Sequence, residues 1–262
     1  MIRYLKMLKA ILKINLSNIM MYRVNFFLNI LDSVVWFIVT LIFFNSIFDS
    51  FGNINGWNTN DIYLLIGTSE LIKSLMFTLF INNLPYIPGL VNQGSLDHIL
   101  FKPINSQFLV SLRKLDLGNL GNCLPAVLLI SYALLQKGES VSIVNGFSFL
   151  GLLFLGILLS YSLWYILMTL SIWLTKVEGM HELFLGTMTL LRYPSSLYKG
   201  ISRFVFLFVF PIVIVSNIPT YALIGRLELN DVFVLMGYSS GFFIISIYFW
   251  KFALRYYNSA SS

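Results

Sequence analysis

Three ionisable residues sit inside long apolar runs and are the ones best placed to do chemistry: Asp32, Glu70 and Lys73. A charge within a membrane-length apolar run is costly, so such residues pair with one another or face a cavity. Asp32 lies about 12 Å into a candidate helix over 24–48, at a rise of about 1.5 Å per residue. Lys73 lies at a matching depth, roughly 12 Å from the same side of a core about 30 Å thick, in a second candidate helix over 61–84. An Asp32–Lys73 ion pair between the two helices is therefore expected. Glu70 stands one turn from Lys73 and can pair with it locally. Two roles fit the three residues: a neutralising cluster that joins the helices, or a polar patch on a substrate path or subunit interface. Asp32 and Glu70 could also carry protons, as a coupled secondary transporter requires.

Other chemistry lacks its residues. There is no GxxxxGK[ST], so no P-loop for ATP, and no GxGxxG, HExxH or GxSxG. His98 and His181 are isolated, and Cys123 is the single cysteine, which leaves a metal site without ligands. No catalytic residue, cofactor site or metal site is expected in this chain. An intramembrane enzyme would lack a nucleophile–base pair.

The elements that must position these residues follow from composition. The chain has 262 residues, 58% hydrophobic and only 11% charged, with a mean hydropathy of +0.82. A soluble domain is roughly 25% charged, so soluble, disordered and coiled-coil classes are excluded. The apolar runs are continuous rather than alternating, which excludes a barrel. An all-α polytopic membrane protein remains. The net charge of +6 sits between the apolar runs, so it reads as a topology signal and not as a nucleic-acid surface.

Six transmembrane helices are expected, at about 24–48, 61–84, 117–136, 146–175, 180–197 and 231–255, in one domain over 24–255. Pro85 and Pro88 should stop the second, and Pro125 should kink the third. The region 183–230 admits two readings. One is a fifth span at 202–222; the other is a span at 180–197 and then a broken re-entrant segment over 198–225. Residues 1–23 form an amphipathic helix on the cytoplasmic face. Lys6, Lys9 and Lys13 occupy an arc of about 60°, with Tyr4, Leu8, Ile11, Leu12 and Ile19 opposite. It anchors to membrane lipid or also meets a cytoplasmic partner. Lys and Arg concentrate on the N-terminal side of the membrane and leave Lys137 and Arg226 outside, so both termini are inside. Gly237 and Gly241 form a GxxxG pattern that permits close helix packing.

The polar stretch after the second span holds Gly94-Ser-Leu96-Asp97-His-Ile99-Leu100-Phe-Lys102-Pro103 within a loop over 89–104. It is a short amphipathic segment with a charge pair. It resembles the G-x-L-D-x-x-L-x-K-P segment of permease subunits of type-2 ATP-binding-cassette (ABC) exporters. More narrowly it is similar to the six-span bacterial multidrug or antibiotic-export permeases of this length. Tyr193, Pro194, Tyr198, Pro211 and Pro219 are similar to a Tyr-Pro…Tyr…Pro…Pro segment before the last span of that family, and the resemblance favours the re-entrant reading.

The resemblance implies a multi-pass protein of the bacterial cytoplasmic (inner) membrane. It would pair with a second, identical or related permease and with two copies of an ABC ATPase subunit, which would hold ATP and Mg. The loop would be the coupling segment, with Asp97 and Lys102 as polar contacts to the ATPase. Leu96, Ile99 and Leu100 would fill an apolar groove. The polar stretch over 176–182 would add a smaller contact. The implied activity is efflux of an apolar or amphipathic substrate through the permease pair. A proton-coupled transporter using Asp32 and Glu70, and a non-transport membrane scaffold, are the alternatives.

Overall fold

The computed structural model describes residues 2–21, 23–51, 56–138, 142–174 and 178–257. Every regular element among them is helical. Helix α1 (Ile2–Met21) is followed by α2 (Arg23–Phe51) and α3 (Thr59–Phe80). Three short helices follow: α4 (Ile87–Asn92), α5 (Asp97–Leu100) and α6 (Ser106–Ser111). Then come α7 (Cys123–Lys137), α8 (Ile143–Thr169), α9 (Glu178–Met188), α10 (Gly200–Phe204), α11 (Ile214–Ile224) and α12 (Leu229–Ala253).

Among the described residues, four helical stretches are long and apolar enough to cross a membrane: Thr59–Phe80, Leu117–Lys137, Ile143–Ile172 and Leu229–Ala253. Gly200–Val209 and Ile214–Ile224 meet these criteria only as a pair bent by 87°. Helix α2 carries a shorter apolar stretch, Ile30–Ser46. Four or five of the six expected spans are thus met by length and composition among the described residues. The expected helix over 180–197 is divided: α9 gives way to a 3-10 turn at Thr189–Arg192, and Tyr193 is extended. Eleven residues of α-helix reach only about 16 Å.

Two local expectations also change. Helix α3 ends at Phe80, and Pro85 lies in the following 3-10 turn, Leu84–Tyr86. Pro125 does not kink a helix, because α7 begins at Cys123 and places it in the first turn, where a missing N–H costs nothing. In α1, Met7 and Ile11 are half-buried and Lys9 and Lys13 are exposed, but Leu12, expected on the apolar face, is exposed as well. The side chains of Tyr4, Lys6, Leu8 and Ile19, and residue Lys176, lie outside the described residues.

The core is built on α3, α8 and α11, with α7 against α3 and α12 against α8. Close approach depends on two glycines. A Cβ at Gly67 of α3 would lie 2.6 Å from Ile130 Cγ1 of α7. A Cβ at Gly156 of α8 would lie 2.7 Å from the Val215 carbonyl oxygen of α11. That second contact has a sequence cause. Pro219 sits inside α11 and has no N–H for the carbonyl four residues back, which is Val215. The freed carbonyl is turned against Gly156, where only a hydrogen side chain leaves room.

Candidate functional site

At one end of the bundle a buried carboxylate collects the charges that the sequence leaves outside. Asp61, in the first turn of α3, is 1% exposed. Its Oδ2 is 3.1 Å from Arg226, just past α11, and its Oδ1 is 3.6 Å from Lys137 at the end of α7. Lys137 also donates to the Ile224 carbonyl at 3.1 Å, and the Asn58 amide donates to Asp61 at 3.4 Å. One acid thus ties the start of α3 to the ends of α7 and α11. Sequence reasoning missed this site. The signal was present, since Lys137 and Arg226 are the two bases that fall on the outer side in either reading of 183–230, and Asp61 starts a span there.

Midway along α3 lies a charged cavity of about 380 Å³. Asp32, Trp36 and Thr40 of α2 line one side; Glu70 and Lys73 of α3, with Arg192, line another. Glu70 pairs with Lys73 at 3.4 Å and with Arg192 at 3.7 Å, and Arg192 also donates to Thr40 at 3.4 Å. Among the described residues no ion pair joins Asp32 to Lys73. The expected pair is replaced because Lys73 finds a carboxylate one turn away on its own helix. The expected cluster of Asp32, Glu70 and Lys73 does line one cavity, and Arg192 is the member that sequence reasoning did not place.

Arg192 is brought there by the irregular segment before α12. Asn217 of α11 accepts from the Ser195 amide at 2.8 Å and donates to the Tyr193 and Val213 carbonyls at 3.2 and 2.9 Å. Ser216 donates to the Leu191 carbonyl, and Ser195 and Tyr221 share a hydrogen bond at 2.9 Å. Tyr198 donates to the Leu190 carbonyl at 3.2 Å. Breaks in a helix at membrane depth need such substitutes for lost backbone bonds. Pro194 follows the extended Tyr193, and Pro211 lies in the break between the bent pair. The start of α11 therefore stands at the level of the cavity, and its end stands at Asp61, roughly 14 Å away along α3.

The loop over 84–115 closes at the other end of α3. Asn83, 1% exposed, donates to the Leu79 and Lys114 carbonyls and accepts from the Lys114 amide at 2.9 Å. The Asp116 amide donates to the Thr78 carbonyl at 2.8 Å, and the Asn82 side chain donates to Asp116 at 3.2 Å. Gly94 has φ +67°, a left-handed turn that favours glycine. Leu96 and Ile99 are buried in the chain's own core. They cannot fill a groove on another protein, because their side chains are already used to seat the loop. Leu100 is half-buried; the exposed tip is His98, Phe101, Lys102 and Pro103, with Phe101 84% exposed. Phe101 is a surface residue that sequence reasoning missed, since an amphipathic pattern does not say which face meets the core.

The last helix braces this loop. Trp250 Nε1 donates to Ser106 at 3.0 Å, and Gln107 donates to Tyr161 and Ser246 at 3.2 and 3.1 Å. Tyr257 lies beside Asp97; burial, and then the Asp97 carboxylate, push the Tyr257 hydroxyl up from its ordinary range. Gly237 and Gly241 have open space before them and line a shallow apolar hollow on α12, so packing within this chain does not use the GxxxG pattern. Among the described residues there is no group of His, Cys, Asp and Glu able to hold a metal ion.

No curated protein and no solved structure matches this chain. A family model described as ABC-2 family transporter protein matches residues 34–261 and so takes in α3, the lining of its charged cavity apart from Asp32, the loop and the broken segment. With most of its length matched, the chain belongs to the ABC-2 family of transporter proteins, as a membrane component of the permease type.

Proposed function

We propose that this protein is the membrane-spanning subunit of an ABC exporter. It forms half of a translocation pathway, with a second copy or a related permease as the other half. Two ATPase subunits hold ATP and Mg and drive export. The chain crosses the membrane six times with both termini inside, in a bacterial cytoplasmic membrane, and 198–225 forms a re-entrant segment. The cargo is apolar or amphipathic.

The observation that carries this reading is the loop over 84–115. Its neck is closed by Asn83, and its apolar residues Leu96 and Ile99 are committed to the core. Phe101, Lys102 and Pro103 are left projecting. An exposed aromatic flanked by a base is what an anchor for a partner's pocket looks like. The Lys/Arg distribution supports placing this tip in the cytoplasm.

Co-purification from native membranes in mild detergent tests the reading. A P-loop ATPase is expected with the wild type and is expected to be lost with Phe101→Asp/Lys102→Glu. If no ATPase accompanies the wild type, the exporter assignment fails and a proton-coupled transporter working through Asp32 takes its place.

A further inference from the structure

We propose that the cavity between α2, α3 and Arg192 binds a zwitterion, a ligand carrying an ammonium and an acidic group next to an apolar body. This deepens the exporter reading and rests on it, naming the substrate class the pathway would accept. Four charged groups line the cavity: Asp32, Glu70, Lys73 and Arg192. They sum to zero, but they are unevenly paired. Lys73 and Arg192 share the Glu70 carboxylate at 3.4 and 3.7 Å, both long contacts that leave donors of each cation free. Asp32, on the other helix, has no ion-pair or hydrogen-bond partner among the described residues. The cavity thus has a net positive wall and a negative wall.

Glu70 stands near the middle of α3, so the site lies deep within a membrane-length helix. There, a bound lone cation or lone anion would leave a unit charge uncompensated in a medium of low dielectric. A zwitterion leaves the sum at zero. Its ammonium meets Asp32, and its acidic group meets the spare donors of Lys73 and Arg192. Trp36, Phe37 and Phe77 offer the apolar body a surface, and the ammonium an aromatic face. A volume of about 380 Å³ suits a small organic molecule.

The test uses the purified chain in a nonionic detergent, without an ATPase, and three probes: benzyldimethylammonio-propanesulfonate, benzyltrimethylammonium and benzylsulfonate. Ligand-observed NMR measures each affinity. The zwitterion is expected to bind at least tenfold tighter than either singly charged probe. Asp32→Asn should remove that preference, and Asp32→Glu, which keeps the charge, should restore most of it. Equal affinity of Asp32→Asn and wild type for the zwitterion overturns the proposal. So does wild-type binding of either singly charged probe as tightly as the zwitterion. Should Asp32→Asn fail to fold, the wild-type probe ranking and Asp32→Glu still decide. An ATPase that fails to co-purify would overturn the exporter reading and leave this binding result standing. Absent binding in a chain that does recruit its ATPase would overturn only the site.

Discussion

Replacing Asp61 by alanine is expected to destabilise the protein more than removing either of its basic partners. The magnitude follows from burial. Deleting one member of a buried ion pair costs about 3–5 kcal/mol, because the remaining charge is left uncompensated. An exposed pair contributes about 0–1 kcal/mol. The side chain of Arg226 is 46% exposed and that of Lys137 is 20% exposed, so water screens the first strongly and the second partly. Arg226→Ala still leaves Asp61 bound to Lys137 and should cost about 0.5–1 kcal/mol. Asp61→Ala takes the shared carboxylate away from both cations and removes the acceptor for the Asn58 amide, a helix-end bond of about 1 kcal/mol. Its total should be about 3 kcal/mol after discounting for exposure. For a chain near this size, 1 kcal/mol shifts Tm by about 2–4 °C, so a drop of about 6–12 °C is expected. Thermal unfolding in detergent, followed by circular dichroism and by the fraction eluting as monodisperse protein after heating, reads it out. An Asp61→Ala midpoint no lower than that of Arg226→Ala would refute the argument that one carboxylate holds the three helix ends.

Three further outcomes follow from the packing. Gly156→Ala should lose about 1–3 kcal/mol, because its Cβ would meet the Val215 carbonyl at 2.7 Å; Gly151→Ala, with nothing within 4 Å, should be neutral in the same thermal assay. Asn83→Ala should open the neck of the loop, seen as faster tryptic cleavage at the exposed Arg113 and Lys114 with the bundle's helical signal retained; unchanged cleavage would mean the neck is held elsewhere. Phe101→Ala should leave thermal stability within about 0.5 kcal/mol, as an exposed side chain does, whereas Leu96→Asp should abolish folding and expression of monodisperse protein.

Much of this architecture could be read from residue order, and the failures have physical causes. The long apolar runs marked α3, α7, α8 and α12, with ends that differ by up to six residues, since membrane spans require continuous apolarity. Pro125 misled because a proline's effect depends on where the helix starts, and the 3-10 turn over Leu117–Asn122 was not visible in the pattern. The Glu70–Lys73 pair is local and could be foreseen. Arg192 could not, because it reaches Glu70 only through the hydrogen bonds that Asn217 and Ser216 make to the irregular chain. Leu96 and Ile99 have the spacing of an amphipathic turn, and that spacing is equally satisfied by facing a partner or facing the core.

The neck at Asn83 has a mechanical consequence. Its side chain bonds the backbone of α3's last turn and both backbone groups of Lys114. A loop anchored only at its ends would absorb a push at its tip by flexing. Here the two chain segments are clamped where they leave the bundle, so a displacement at Phe101–Pro103 would reach the end of α3 through Asn83. The Trp250–Ser106 bond gives that lever a fulcrum on α12. Rotation of α3 by even part of a turn would carry Glu70 and Lys73 around the cavity wall, so a push that turned this helix would rearrange the charges at the centre of the bundle.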